Sequence, residues 1–248
     1  MPRSRDLDWD GCLNVRDLGG HRTTDGGETR YGAIVRADSI RQLTDEGWAA
    51  AVDYGVRTVI DLRMHRELEA DPPAELPVDV VHVPFLEDDE EAYVEVETAA
   101  NAAPNHAVAT REVYLVFLQR FSKNVAAAIA AVAHAPEGAV VIHCVGGKDR
   151  TGLVAAFLLH LAGVDNEQIA VDYAASEERL RPRHEAWLTE ADTEAERERL
   201  RRIAATPADS MLGVLEELER RHGSIEGFLR AAGVNEEDLR LARERLRG

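Results

Sequence analysis

Cys144 and Arg150 stand in the stretch His143-Cys144-Val145-Gly146-Gly147-Lys148-Asp149-Arg150-Thr151-Gly152, spaced C-x5-R. A cysteine becomes a nucleophile as its thiolate, and a helix N-terminus with nearby cations lowers a free thiol from about 8.5 into the range of roughly 3.5 to 7.5. A fall of about three units amounts to roughly 4 kcal/mol in favour of the thiolate. Gly146 and Gly147 let the backbone curl so that successive N–H groups converge on an anion. Arg150 supplies a planar fork that grips two oxygens of a phosphoryl group. Together these types suit displacement at phosphorus: Cys144 attacks, and the amides from Val145 to Arg150 hold the non-bridging oxygens. Arg150 follows the developing charge, and the Thr151 hydroxyl sits beside the sulfur.

Such a loop needs a strand to deliver it and a helix to receive it. Ala139 to Ile142 is a continuous apolar run, and Leu153 to Ala162 is apolar nearly all round, so the expected order is strand, loop, buried helix. Lys148 stands out by composition. Of 29 basic residues only Lys123 and Lys148 are lysines, and one of the two lies in this loop. Cys144 taken alone reads as a buried strand-end cysteine; the residues around it argue for chemistry.

The segment from His143 to Gly152 resembles the cysteine-dependent protein tyrosine phosphatases, and its G-K-D-R-T-G wording is similar to the bacterial tyrosine and lipid phosphatase branch. Asn14-Val15-Arg16-Asp17-Leu18-Gly19-Gly20 resembles the signature that opens members of that branch. The resemblance implies an α/β fold: a mostly parallel sheet of four or five strands flanked by helices, with an all-helical C-terminal third. It also implies that Arg16 and Asp17 buttress the site as a pair, and that Arg36, at the end of the strand Tyr31 to Arg36, is a second anion ligand.

Displacement also needs a proton donor for the leaving oxygen, carried as a rule on another segment. Val56 to Leu62 is a β-branched run that reads as a buried parallel strand, and it brings Asp61 to the sheet edge where ligands bind. Asp61 is the first choice of donor, a role the family resemblance also implies. Asp149 inside the loop is the rival, with bracing of the loop as its other role, and an acid from the run Glu87 to Glu91 is a third option. Arg63 binds substrate or braces the loop.

The remaining segments read as scaffold. Thr44 caps a helix to Tyr54 that Gly55 stops, and a turn over Asp71 to Pro77 leads to a strand over Asp79 to Phe85. The acid run Glu87 to Glu91 reads as a solvated loop, and Ala107 to Ala133 as one long helix. After Asn166 everything reads as helix. Residues 177–206 are highly charged and read as a surface helix or a lid, with Arg179, Arg181 and Arg183 available to an anionic substrate.

With 248 residues, 45% hydrophobic and 30% charged, the chain fits one phosphatase domain over 1–248. A net charge of −17 disfavours nucleic acid and anionic membrane, so no nucleic acid and no stable membrane association are expected. The N-terminus lacks the apolar core of a signal peptide, and Cys12 and Cys144 make no disulfide framework, which together read as cytoplasmic. The expected activity is metal-independent and cofactor-free hydrolysis of a phosphomonoester through phosphocysteine, in the first place on phosphotyrosine in proteins. A phosphoinositide or a small phosphorylated metabolite is the alternative substrate, and a catalytically silent phosphate-binding module is the alternative of another class. The sequence leaves the oligomeric state open.

Overall fold

A computed structural model of the chain describes residues 3–71 and 76–247. Its elements are, in order, β1 (Arg16–Asp17), β2 (Ile34–Ala37), α1 (Asp45–Tyr54), β3 (Val56–Asp61), α2 (His65–Ala70), β4 (Asp79–His82), α3 (Glu90–Ala102), α4 (His106–Arg120) and α5 (Ser122–His134). There follow β5 (Ala139–His143), α6 (Arg150–Leu161), α7 (Asn166–Glu190), α8 (Glu194–Ala204), α9 (Ala208–His222), α10 (Ile225–Ala232) and α11 (Glu236–Arg247).

The sheet order is β1-β2-β5-β3-β4, with β1 antiparallel to β2 and every other pairing parallel. Residues pointing alternately to the two faces of β5 meet two cores. Val140 and Ile142 join the larger one under α4, α5 and α6, while Ala139 and Val141 join the smaller one with Trp9, Ile40 and Ala51 of α1. Because β2, β5 and β3 run parallel, Ala37, His143 and Asp61 finish at one edge, and Ala37 and Asp61 both sit in register with His143. The nucleophile loop leaves from that edge. α6 then re-enters the larger core, with every residue buried except Arg150 and His160, as its all-round apolar sequence demands.

The structure alters two expectations. The helix expected over 107–133 is α4 and α5, bent by 82° where Phe121 leaves helical backbone values (φ −113°, ψ 30°). The apolar period runs through the bend because both halves face the same core, so the period reported burial and was blind to direction. The acid run 87–91 is a solvated loop only in its first half: Glu87 and Asp88 are exposed and non-helical, Asp89 caps α3 by accepting the Ala92 amide, and Glu90 and Glu91 lie in the first turn, where the helix dipole favours them. Of the expected turn over 71–77, residues 72–75 lie outside the described residues. No single helix among the described residues is long and apolar enough to cross a membrane.

Candidate active site

The loop after β5 is held from behind by its carbonyls. Ser39 N–H donates to Val145 O (3.0 Å), Asn14 Nδ2 to Gly146 O (3.0 Å) and Arg36 Nη2 to Gly147 O (2.7 Å), and His143 Nδ1 lies 3.0 Å from Cys144 O. In a planar trans peptide the carbonyl and the following N–H point opposite ways. Pinning these carbonyls to the rear therefore turns the amides of Val145, Gly146, Gly147 and Lys148 to the front. Gly147 is obligatory there: its φ is +64°, and a Cβ would stand 2.3 Å from Ala37 O.

In front lies a cleft of about 760 Å³ with Cys144, Asp149 and Arg150 in its lining. Cys144 is buried, and Thr151 Oγ1 is buried with no hydrogen-bond partner among the described residues, so its one hydroxyl proton is uncommitted. The far wall of the cleft comes from α7 and α8 through Leu180, Arg183, His184, Trp187 and Ile203. A second cavity of about 600 Å³, with Leu86, Tyr114 and Phe117 on α4 and the segment before α3, shares Lys148, Asp149 and Arg150 with it.

The expected anion ligands divide on inspection. Arg150 is in the cleft, but both its terminal nitrogens hold Glu67 of α2, Nη2 at 2.9 Å. Burial opposes its charge, while Cys144 and Glu67 more than restore it and hold Arg150 above the ordinary value. Lys148 lines the cleft too, with Nζ 2.6 Å from the carbonyl of Ile203 in the last turn of α8 and 3.3 Å from Asp149 Oδ1. Arg63 lines the cleft and braces it at once, bonding Asp61 through Nε and Nη2 and Asp71 through Nη1. Arg36 is not in the cleft. It is 1% exposed and bonds Gly147 O and Asp172 Oδ2, so the residue expected to hold an anion instead props the loop from beneath.

The buttress at residues 14–20 also has different partners from those expected. Arg16 pairs with Asp172 on α7 (3.0 Å) and donates to Asn14 Oδ1 and Ser176 Oγ, while Asp17 accepts the Gly19 and Gly32 amides. Two fully buried guanidiniums, Arg16 and Arg36, thus share one buried carboxylate, Asp172, leaving surplus positive charge under the loop. Burial opposes the charge of Asp172, yet Arg16 and Arg36 hold it well below the usual carboxylate range. Burial and the neighbouring Arg16 pull Arg36 down to about 10.

The two candidate donors lie in unlike places. Asp61 does not line the cleft. It is 3% exposed, bonded by the Arg63 fork and the Arg63 amide, with His143 Nε2 at 3.4 Å. Burial works against its charge, but His143 and Arg63 win and hold it well below the ordinary carboxylate range. Asp149 lines both cavities beside Arg150. Burial opposes its charge as well, and Lys148, Tyr114 and Arg150 hold it below the ordinary value. Of Arg179, Arg181 and Arg183 only Arg183 reaches the cleft, tied to Asp38 at 2.6 Å; Arg179 binds Asp6, and Arg181 binds Glu178 on the outer face of α7.

Sequence reasoning missed Glu67, Asp38 and the hydroxyl of Tyr114. Glu67 lies on a short helix with no motif around it, and Tyr114 was legible only as an apolar position of α4. Asp172 and Ser176 had a signal, the D-Y-x-x-S string on α7, whose partners in space the sequence does not name.

A parallel sheet that delivers a cysteine to an amide-lined loop, with an arginine at the following helix N-terminus, defines a cysteine-based phosphate centre. The comparisons agree with that class. A sequence model of the tyrosine phosphatase family matches residues 7–248, and the chain belongs to that family. It is 30% identical to the triple specificity protein phosphatase PtpB of Mycobacterium tuberculosis, over 96% of this chain and 98% of that protein. It is 29% identical to a tyrosine-protein phosphatase of Nostoc commune, over 86% of this chain and 74% of that one. The protein is a phosphatase.

Proposed function

We propose that this phosphatase hydrolyses phosphotyrosine in proteins through a phosphocysteine intermediate, with Asp149 as proton donor. The observation that carries the reading is the loop whose carbonyls are pinned behind it, leaving an amide cradle over Cys144. The Cys144 thiolate forms an S–P bond as the ester O–P bond breaks, and the leaving oxygen takes the proton of Asp149. Water then attacks phosphorus and gives its proton back to Asp149, and the thiolate departs with Thr151 Oγ1 donating to it. Arg150 exchanges Glu67 for the phosphoryl oxygens. Asp61 holds Arg63, and through it the cleft wall, instead of donating a proton. Residues 177–206 close the cleft as a lid.

Phosphotyrosine is preferred to a phosphoinositide because Lys148, the cation that would meet a further phosphate, is engaged by Ile203 O and Asp149. Opening that contact costs a charge-assisted bond. A reactive thiolate suits a reducing compartment, which supports a cytoplasmic location.

The test is hydrolysis of an aryl phosphate in chelator by the wild type and three variants. Cys144→Ser should lose at least about 10⁴-fold in kcat, and unchanged turnover in it would sink the mechanism. Asp149→Asn should lose about 10²-fold or more with a poor leaving group and much less with a good one. Asp61→Asn should lose the same factor with both; a leaving-group dependence confined to Asp61→Asn would return the donor role to Asp61. Phosphotyrosyl peptides should exceed soluble phosphoinositides in kcat/KM, and the reverse order would overturn the substrate reading.

A further inference from the structure

Two tyrosine hydroxyls from different helices meet behind the Asp149 carboxyl. Tyr114 of α4 donates to Asp149 Oδ1 at 2.5 Å, and its oxygen lies 2.9 Å from the hydroxyl of Tyr173 on α7. Tyr114 has one proton to give, so with that proton on Asp149 the Tyr173 hydroxyl must be the donor to Tyr114. The chain runs Tyr173 O–H to Tyr114 O–H to Asp149 Oδ1. Both rings are buried and meet edge to face at 6.1 Å, which fixes their orientation. Lys148 Nζ approaches the same oxygen, Oδ1, at 3.3 Å. Among the described residues no hydrogen bond engages Oδ2.

We propose that the Tyr173–Tyr114 pair is a positioning device for proton transfer, which occupies Asp149 Oδ1 so that Oδ2 alone carries the proton toward the leaving oxygen. This rests on the reading of Asp149 as donor. A carboxyl free to rotate would present either oxygen, and a proton on Oδ1 would face Tyr114 and Lys148. With Oδ1 saturated by donors, protonation falls on Oδ2, which is the productive site. Tyr173 ties the device to α7, the helix whose later turns wall the cleft.

The charged and titratable groups around Asp149 are Lys148 and Arg150 on its own segment, Cys144 in the same cleft, Tyr114 on α4, and Tyr173, Glu177 and His184 on α7, with Arg199 and Arg202 of α8 on the wall of the second cavity and Glu67 of α2 reached through Arg150. Tyr114 stabilises the ionised carboxyl, so removing its hydroxyl must make Asp149 easier to protonate. The acid form is active in the first half-reaction, and that activity is lost as pH rises through the Asp149 titration. Tyr114→Phe should therefore carry the basic limb to higher pH.

The experiment is the burst rate of phenol release from saturating phenyl phosphate against pH, with a good-leaving-group aryl phosphate in parallel. Saturation reports groups of the enzyme–substrate complex. Tyr114→Phe should move the basic limb up by about one unit and lose about tenfold on phenyl phosphate relative to the good leaving group. Tyr173→Phe, which keeps the Tyr114 bond to Asp149, should change both in the same direction and by less. Asp149→Asn should lack the limb. If Asp149→Asn lacks it while both tyrosine variants, with wild-type melting temperatures, keep the wild-type limb and leaving-group ratio, the inference is overturned and the donor reading stands. If Asp149→Asn keeps the limb, the donor reading falls and the inference with it.

Discussion

The two sides of the nucleophile loop are built on opposite terms. Behind it, Arg16, Arg36, Asn14, Asp172 and Ser176 are all buried and bonded to one another or to loop carbonyls. In front of it, Arg150 holds Glu67, Lys148 holds Ile203 O, and Arg183 holds Asp38, each beside an open cleft. The rear cations prop the backbone and have no path to a ligand. Of the front cations, Arg150 and Arg183 hold carboxylates, partners that a phosphate is chemically able to replace. On the proposed mechanism arginine is therefore used twice for different ends: as a fixed strut below the loop and as an exchangeable grip above it.

The largest effect expected from breaking this contrast is at Asp172. Removing the one carboxylate shared by two buried guanidiniums leaves both uncompensated, a loss of about 3–5 kcal/mol in stability. Asp172→Asn should lower the urea midpoint accordingly at neutral pH. The pH dependence has a definite sign. Asp172 is held well below its ordinary value, so its stabilisation is complete above about pH 4, near the unfolded value, and fades as pH falls further. The variant should lack that part of the acid-side decline. A urea midpoint within error of the wild type would mean that the rear cluster is not a strut.

A smaller effect is expected where only one loop carbonyl is released. Arg36→Met removes the donor to Gly147 O and one unit of buried positive charge, and should lower kcat/KM by about 10- to 100-fold and weaken competitive inhibition by inorganic phosphate. Asn14→Ala removes the neutral donor to Gly146 O and should cost less, about tenfold or below. Equal losses in the two would assign the effect to loop shape alone and leave no part for the charge.

How far the site was legible follows the same division. The strand, loop and buried helix around Cys144 could be read because local sequence dictates them: a β-branched or apolar run, two glycines, then an apolar helix. Arg16, Arg36 and Asp61 were recognisable as residues of consequence, but their partners were not. Arg16 meets Asp172, 156 positions away, and Arg36 meets the carbonyl of Gly147, 111 positions away. Such pairings are made by topology, which no local pattern encodes. Asp61 illustrates the cost, since a strand-end aspartate reads the same whether it faces the cleft or turns back onto Arg63. The bend at Phe121 escaped for a related reason: no glycine or proline marks it, and burial continues through it.

The smallest effect expected, and the one that most directly tests the front side, is at Glu67. Its carboxylate takes both terminal nitrogens of Arg150, and the backbone amide of Met64 donates to its Oε2 at 2.7 Å, so α2 fixes it in place. Burial opposes its charge, while Arg150 holds it below the ordinary carboxylate range, so it remains an anion at working pH. A phosphoryl group reaching Arg150 must compete with that anion. Glu67→Gln keeps the shape and one acceptor oxygen but removes the competing charge. Inorganic phosphate should then inhibit about 3- to 10-fold more tightly, and KM should fall with kcat little changed. The contrast sharpens if it does not. A fall in kcat with no gain in phosphate affinity would make Glu67 an orienting partner that stays bound to Arg150 throughout turnover, and would move the Arg150 pair from the exchangeable side of the loop to the fixed one.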